Sequence, residues 1–173
     1  MEIIKRSQLN EALKTQNYRM ICETAKEKRT AKWDKHYDIF LCHSTSDYEE
    51  IRALKAFYEN RGKNAYVAEI DDPKITLDGI NKATAQVLQK RMLSSDNLYY
   101  VLSKNSQKSK WMPWELGFFD GKKGSYRIKV VPIIDKNDYE VLGFSGQEYL
   151  ELYVDGTIIQ ILKLNRAIDM SQI

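Results

Sequence analysis

The chain is predicted to fold as an α/β domain on a flavodoxin-like, doubly wound, five-stranded parallel sheet of order 2-1-3-4-5, with an added N-terminal helix. Three observations lead there. Short apolar runs rich in β-branched and aromatic residues recur at 37–42 (YDIFLC), 65–70 (AYVAEI), 98–102 (LYYVL), 128–134 (IKVVPII) and 149–154 (YLELYV). Amphipathic stretches separate most of them. The runs are mostly continuous rather than alternating, which marks strands buried on both faces and so a parallel sheet covered by helices.

The connections supply the helices. Segment 47–61 places Ile51, Leu54, Phe57 and Tyr58 on one helical face, and Gly62 offers the left-handed stop. Segment 80–92 repeats the pattern with Ile80, Thr84, Val87, Leu88 and Arg91, and 113–120 reads as a shorter helix begun by Pro113 and closed by Gly121. A last helix is expected at 157–167. Pro132 cannot donate to a central ladder, so it belongs at the end of the fourth strand. Residues 135–148 form a long polar connection. Residues 7–30 read as one helix with Leu9, Leu13 and Met20 on a stripe, which divides the chain into an extension, 1–36, and a domain, 37–173. No internal repeat is visible.

Composition bounds the function. The 173 residues include only 8 Gly and 3 Pro and are 43% apolar and 11% aromatic, which excludes collagen-like and wholly disordered classes. No window nears the ~18 apolar residues of a membrane span, and the first residues lack an apolar signal core. Two cysteines in different segments form no framework, so a cytoplasmic, reduced setting is expected. The net charge is +3, and residues 1–36 hold nine basic against five acidic side chains. Their interleaved signs, without an aromatic ladder, fit a solvated helix face better than a nucleic-acid stripe.

In an open doubly wound sheet, ligands bind beyond the carboxyl ends of the strands where the strand order reverses. Here that crevice lies between strands one and three. The loop after strand one is His43-Ser44-Thr45-Ser46-Asp47, and the loop after strand three, 103–110, leads into Trp111-Met112-Pro113-Trp114-Glu115. Hydroxyls, a histidine, two tryptophans and a carboxylate are expected to converge. There is no G-x-G-x-x-G after strand one and no phosphate-binding G-x-x-x-x-G-K-[ST]. Two histidines and no C-x-x-C argue against a transition-metal site. Cys42 and His43, as adjacent strand residues, point to opposite faces and do not form a nucleophile–base pair. Phospho-receiver chemistry lacks its acidic residues.

Glu115 is the carboxylate to weigh. With Pro113 as first helical residue it falls in the first turn, where the helix dipole favours a negative charge by about 0.3–1 kcal/mol. Two flat rings within four residues suit a planar stacked ligand, and Trp111 suits a core position equally. Ser44, Ser46 and Asp47 also suit plain N-capping of the first helix.

The strings YDIFLCHSTSD, AYVAEIDDP, NLYYVLSKNSQKSKWMPWELGFFDG and RIKVVPI, with Ser109, Trp111 and Glu115 as the Ser-x-Trp-x-x-x-Glu core, resemble a TIR (Toll/interleukin-1 receptor) domain. The resemblance spans about residues 36–165 and is nearest to prokaryotic members of the Thoeris antiphage type. Two departures stand out: Cys42 replaces the usual serine of strand one, and the second-strand loop Asp71-Asp72-Pro73-Lys74 lacks its usual glycine. The family implies either cleavage of the nicotinamide–ribose bond of NAD, or non-catalytic adaptor function through TIR–TIR assembly. Cleavage yields ADP-ribose, a cyclic isomer or a conjugate. By the resemblance Glu115 is the catalytic acid, Trp111 its companion, and His43 and Ser44 contact the dinucleotide. Asp71 is a weaker match, and Ser46, Asp47 and Trp114 complete the expected binding set. NAD is then a substrate and no cofactor is implied. Self-association, sometimes completing the site with a neighbour's second-strand loop, and a separate effector that reads the nucleotide are the implied partners.

A single acid suits such chemistry. Glycosidases need a second carboxyl to protonate a poor leaving group, whereas nicotinamide leaves a cationic pyridinium as a neutral molecule. What remains is to hold the ribose and to stabilise an oxocarbenium-like transition state with negative charge.

Overall fold

Three of the apolar runs form strands where both faces can be buried. The computed structural model describes residues 4–14, 35–75, 77, 79, 81–134 and 146–154. In chain order the elements are β1 (Ile4–Lys5), α1 (Arg6–Lys14), β2 (Tyr37–Cys42), α2 (Tyr48–Glu59), β3 (Ala65–Tyr66) and α3 (Ala68–Asp71). There follow α4 (Lys82–Leu93), β4 (Ser95–Leu102), α5 (Trp111–Lys123) and β5 (Ile128–Ile134). Every pairing is parallel, in the order β1-β5-β4-β2-β3.

Alternate side chains of β2 feed two cores. Tyr37, Phe40 and Cys42 join Leu98, Tyr100, Met112, Leu116 and Phe119 on one face. Ile39 and Leu41 join Val101, Val131, Ile51, Leu54 and Phe57 on the other. With helices on both sides, no polar alternation is tolerated, which explains the continuous apolar runs. The crossing from β2 to β4 on one side and β3 on the other is the reversal that opens the crevice.

Four expectations need correction. The fifth strand is not 149–154: Glu148–Tyr153 coils as a 3-10 helix in which only Leu150 is buried. Its place beside β5 is taken by β1, with Ile4 opposite Ile133 and Lys5 opposite Ile134. Read from the other edge, the order 2-1-3-4 holds for the first four expected strands, and the N-terminal pair replaces the fifth. A two-residue strand carries too little pattern to be seen in sequence. Pairing of β4 with β5 ends at Pro132, and pairing with β1 begins at the next residue, so the proline sits where one ladder runs out.

The second run stops as a strand at Tyr66. The Asp71 carboxylate accepts from the Val67 backbone N–H at 2.8 Å and the Asp71 N–H donates to the Val67 carbonyl at 2.8 Å, which turns the chain into α3. The helix expected at 113–120 is longer: it starts at Trp111, runs through Gly121 and ends at Gly124, whose φ of +89° suits glycine. The Ser109 hydroxyl accepts from the Met112 N–H at 3.3 Å, and Pro113 occupies a first-turn position that needs no N–H. Gly62, at φ +74°, turns the chain after α2 as expected.

Of the expected helix at 7–30, the described part is α1, which lies against α2 and buries Leu9. Its remainder, the connection 135–145 and the helix at 157–167 fall outside the described residues.

Ile4 is fully buried among the residues of the second core. Ile4→Ala should therefore cost about 2–5 kcal/mol, the usual range for a buried aliphatic truncation, measured as a lower urea midpoint at unchanged m-value. A loss below about 0.5 kcal/mol, the surface range, would show that β1 is not part of the cooperative fold.

Candidate active site

The loop after β2 begins with His43 and Ser44, both buried, and continues as a 3-10 turn, Thr45–Asp47. The Ser44 hydroxyl accepts from the Ser46 N–H at 3.4 Å, so Ser44 is the capping residue of that turn. Asp47, 2% exposed, makes no side-chain cap to α2. Its two oxygens instead accept from the Ser103 hydroxyl at 2.5 Å and the Asn105 amide at 2.6 Å. It therefore ties the loop after β2 to the loop after β4 across the crevice. Ser106 and Gln147 extend this network, with Ser106 Oγ donating to Gln147 Oε1 at 3.0 Å and Gln147 Nε2 donating to the Tyr100 hydroxyl at 2.5 Å.

The segment after β3 is fastened separately. Arg91 of α4 donates to both oxygens of Asp72, at 2.6 and 2.9 Å, and the Tyr66 hydroxyl joins at 3.0 Å. Such a two-pronged guanidinium–carboxylate pair is strong and directional. Asp71 beside it faces Lys55 at 3.1 Å and Lys35 at 3.8 Å, so its carboxylate belongs to the scaffold of α3 and not to the cleft. Further along, the Leu77 carbonyl accepts from the Trp111 indole N–H at 3.2 Å, joining this segment to the start of α5.

Together the loops enclose a cleft of about 290 Å3, at the small end of ligand pockets, lined in part by Ser44, Ser46, Leu77, Lys108, Lys110 and Trp111. Trp111 thus does two jobs: its ring packs in the first core and its face walls the cleft. Trp114 stands edge-on to Trp111 at 5.5 Å and stacks on Phe118 at 5.8 Å, outside the cleft lining.

Glu115 lies four residues after Trp111, on the same face of α5. It falls in the second turn, because the helix begins at Trp111, so the dipole argument does not apply. The carboxyl is 5% exposed and sits beside the Cys42 thiol at the end of β2. Cys42 Sγ donates to the Met112 carbonyl at 3.7 Å, which holds α5 against the strand. Burial pushes the Glu115 carboxyl up to about 7; the Cys42 hydrogen bond and the nearby His43 charge pull against it, and Glu69 adds to it. The same burial and the neighbouring carboxylate push the Cys42 thiol well up, so it is a poor nucleophile.

His43 offers no nitrogen to a ligand. Nδ1 lies 2.8 Å from the Leu41 carbonyl and Nε2 lies 3.0 Å from Glu69 Oε2. Burial alone would lower its pKa, but the Glu69 hydrogen bond and charge, the Leu41 carbonyl and the Glu115 charge together raise it. Reciprocally, His43 holds Glu69 low despite the desolvation that would raise it. The structure therefore brings Glu115, His43, Ser44, Ser46 and Trp111 to one end of the sheet, and gives Asp47, Asp71 and Trp114 structural partners nearby. Glu69 is the residue that sequence reasoning missed. Its only signal was an acid at the end of a run read as strand.

Among the described residues no group of three or more His, Cys, Asp or Glu side chains is arranged to hold a metal, and no helix is long and apolar enough to cross a membrane. No protein-family model matches the chain. The chain is 41% identical over 138 residues to a probable 3' cyclic ADP-D-ribose synthase, ThsB', of Bacillus cereus strain MSX-D12. That match covers 77% of this chain and 69% of the relative.

Because the folded protein binds the Glu115 proton more tightly than the unfolded chain does, the carboxyl's contribution to stability falls as pH rises from about 4.5 to above 7. Glu115→Gln removes that penalty. The variant should match the natural protein near pH 5 and exceed it by about 1–3 kcal/mol near pH 8 in chemical denaturation. A constant difference across that range would mean that Glu115 is not a strained buried acid.

Proposed function

Since this chain belongs to the TIR-domain family of Thoeris antiphage proteins, we propose that its crevice cleaves the nicotinamide–ribose bond of NAD and closes the product as a cyclic ADP-ribose. The observation that supports the reading best is the placement of Glu115: one buried carboxyl beside Cys42 at the end of β2, where the sheet order reverses, one helical turn after Trp111; Trp111 lines the cleft and Glu115 itself does not.

The chemistry follows from that placement. The bond between the ribose anomeric carbon and the nicotinamide nitrogen breaks, and its electron pair neutralises the pyridinium. The sugar is left as an oxocarbenium-like cation, which the Glu115 carboxylate stabilises at close range in a site that water screens poorly. The same carboxylate is an acceptor for the ribose hydroxyls. A hydroxyl of the adenosine half then attacks the cation, the new carbon–oxygen bond forms, and its proton leaves to a base. A carboxyl of pKa about 7 suits that task, because it is ionised for the first step and still basic enough for the second.

Lys108 and Lys110 line the cleft together with Ser44 and Ser46; two positive charges and two hydroxyls suit a pyrophosphate ligand. Cyclisation rather than hydrolysis requires the adenosine hydroxyl to reach the cation before water does. The synthase name of the Bacillus relative supports this branch. A diffusible product calls for a separate responder, and self-association through the TIR fold is expected to accompany activity.

Incubating the protein with NAD, under conditions that promote assembly, should release nicotinamide. Mass spectrometry should find a nucleotide one water lighter than ADP-ribose. Glu115→Gln should lower the rate by about 100-fold or more while its circular dichroism is unchanged. Linear ADP-ribose alone would make the protein a hydrolase. No nicotinamide from the assembled protein, or full activity in the variant, would leave a docking module.

A further inference from the structure

His43 follows Cys42, the neighbour of Glu115, and the Glu69–His43 pair is near enough to Glu115 for their charges to act on one another. Both ring nitrogens of His43 face acceptors, a main-chain carbonyl at 2.8 Å and a carboxylate oxygen at 3.0 Å. A neutral imidazole has one N–H and one lone pair, so it would set a lone pair against one of these acceptors. The imidazolium satisfies both. The His43 side chain is 4% exposed and that of Glu69 is 23% exposed, so water screens the pair little. The second Glu69 oxygen, Oε1, is buried without a hydrogen-bond partner among the described residues. A carboxylate retained for stability alone normally fills both oxygens, and an unsatisfied buried one calls for another explanation.

We infer that Glu69 is a positioning residue for the NAD-cleaving centre: it fixes His43 as an imidazolium near Glu115 and so favours the charged form of that buried carboxyl. The inference rests on the reading of Glu115 given above. The electrostatic reasoning is direct. A lone carboxyl buried beside Met112 and Cys42 holds its proton near neutral pH and then neither stabilises a cation nor accepts from a diol. A neighbouring imidazolium opposes that protonation, but by itself it would also cancel the negative charge that the transition state needs. Glu69 supplies the missing charge. With Glu115 ionised, Glu69, His43 and Glu115 together carry one net negative charge, matched to one oxocarbenium, and hydrogen bonds to the Leu41 carbonyl and to Glu69 fix the imidazolium in place. The charged and titratable groups facing the centre are Glu69 from α3, His43 and Cys42 from the end of β2, and Glu115 itself from α5.

The chain has two histidines, and His36 is exposed while His43 is buried, so the full protein labelled at histidine ring carbon gives two signals to follow by NMR. In the natural protein the His43 signal should stay in its protonated form to a higher pH than a free imidazole does. In Glu69→Gln its midpoint should fall by about one unit or more, because burial is then less opposed. A His43 midpoint within about 0.3 units of the natural protein's in Glu69→Gln would overturn the inference, since about 0.4 kcal/mol is too little for a controlling partner. In NAD cleavage the alkaline limb of the pH–rate profile should move down with the NMR midpoint. At about pH 8 kcat should drop by about tenfold per unit of that movement while KM changes by less than about twofold. Glu69→Asp, which keeps the charge one methylene shorter, should restore part of both readouts, and it replaces Glu69→Gln if that variant fails to fold. A loss of rate equal at every pH, or confined to KM, would mark a merely structural pair and overturn the inference. The two claims fail separately: NAD left intact by the natural protein would sink the enzymatic reading, while the NMR titration would still decide whether Glu69 governs His43.

Discussion

A carboxyl kept out of water at the carboxyl end of β2 is the constraint from which the rest of the site follows. Burial of Glu115 makes ionisation costly, and that cost is tolerated only because the surrounding groups are arranged around it. Cys42 and Met112 hold α5 against the strand, Trp111 lines the cleft, and His43, held by Glu69, pulls the carboxyl toward its charged form while Glu69 itself pulls the other way. Such strain is the usual mark of a working site in an otherwise well-satisfied fold.

The loops around the crevice are built to stay put. Asp47 joins the first and third of them by short hydrogen bonds, and Arg91 clamps the second through Asp72. The Trp111 indole then ties that second segment to α5 through the Leu77 carbonyl. Each tie uses a buried or half-buried polar group whose loss would leave an unpaired partner, so loosening any of the three is costly. Such ties matter here because an electrostatic centre works only if its charges are aimed before the cation forms.

Much of this was readable in the chain. The runs at 37–42, 98–102 and 128–134 are buried on both faces, so their apolar content is continuous and their parallel pairing follows. The crevice followed from the alternation of strands and helices, before any side chain was considered. Glu115 and Trp111 were legible as a pair four residues apart. What failed was the chemistry that spacing does not record. The run 149–154 is apolar and aromatic like a strand, yet within its 3-10 helix only Leu150 is buried and the segment coils. The run 65–70 breaks because the Asp71 carboxylate captures the Val67 N–H, an interaction set by side-chain reach rather than by period. That break places Glu69 on a short helix facing His43, which is why it was missed. The same reach explains Asp47, expected near the ligand and found bracing two loops.

The most direct measurement is a titration of the Glu115 side-chain carboxyl carbon by NMR, in the free protein and with a non-cleavable NAD analogue bound. The account predicts a midpoint of about 7 in the free protein. It also predicts a lower midpoint with the analogue, because a pyridinium beside the carboxyl favours its charged form. A midpoint near the ordinary carboxyl value of about 4.3, or one that the analogue leaves unmoved, would contradict it.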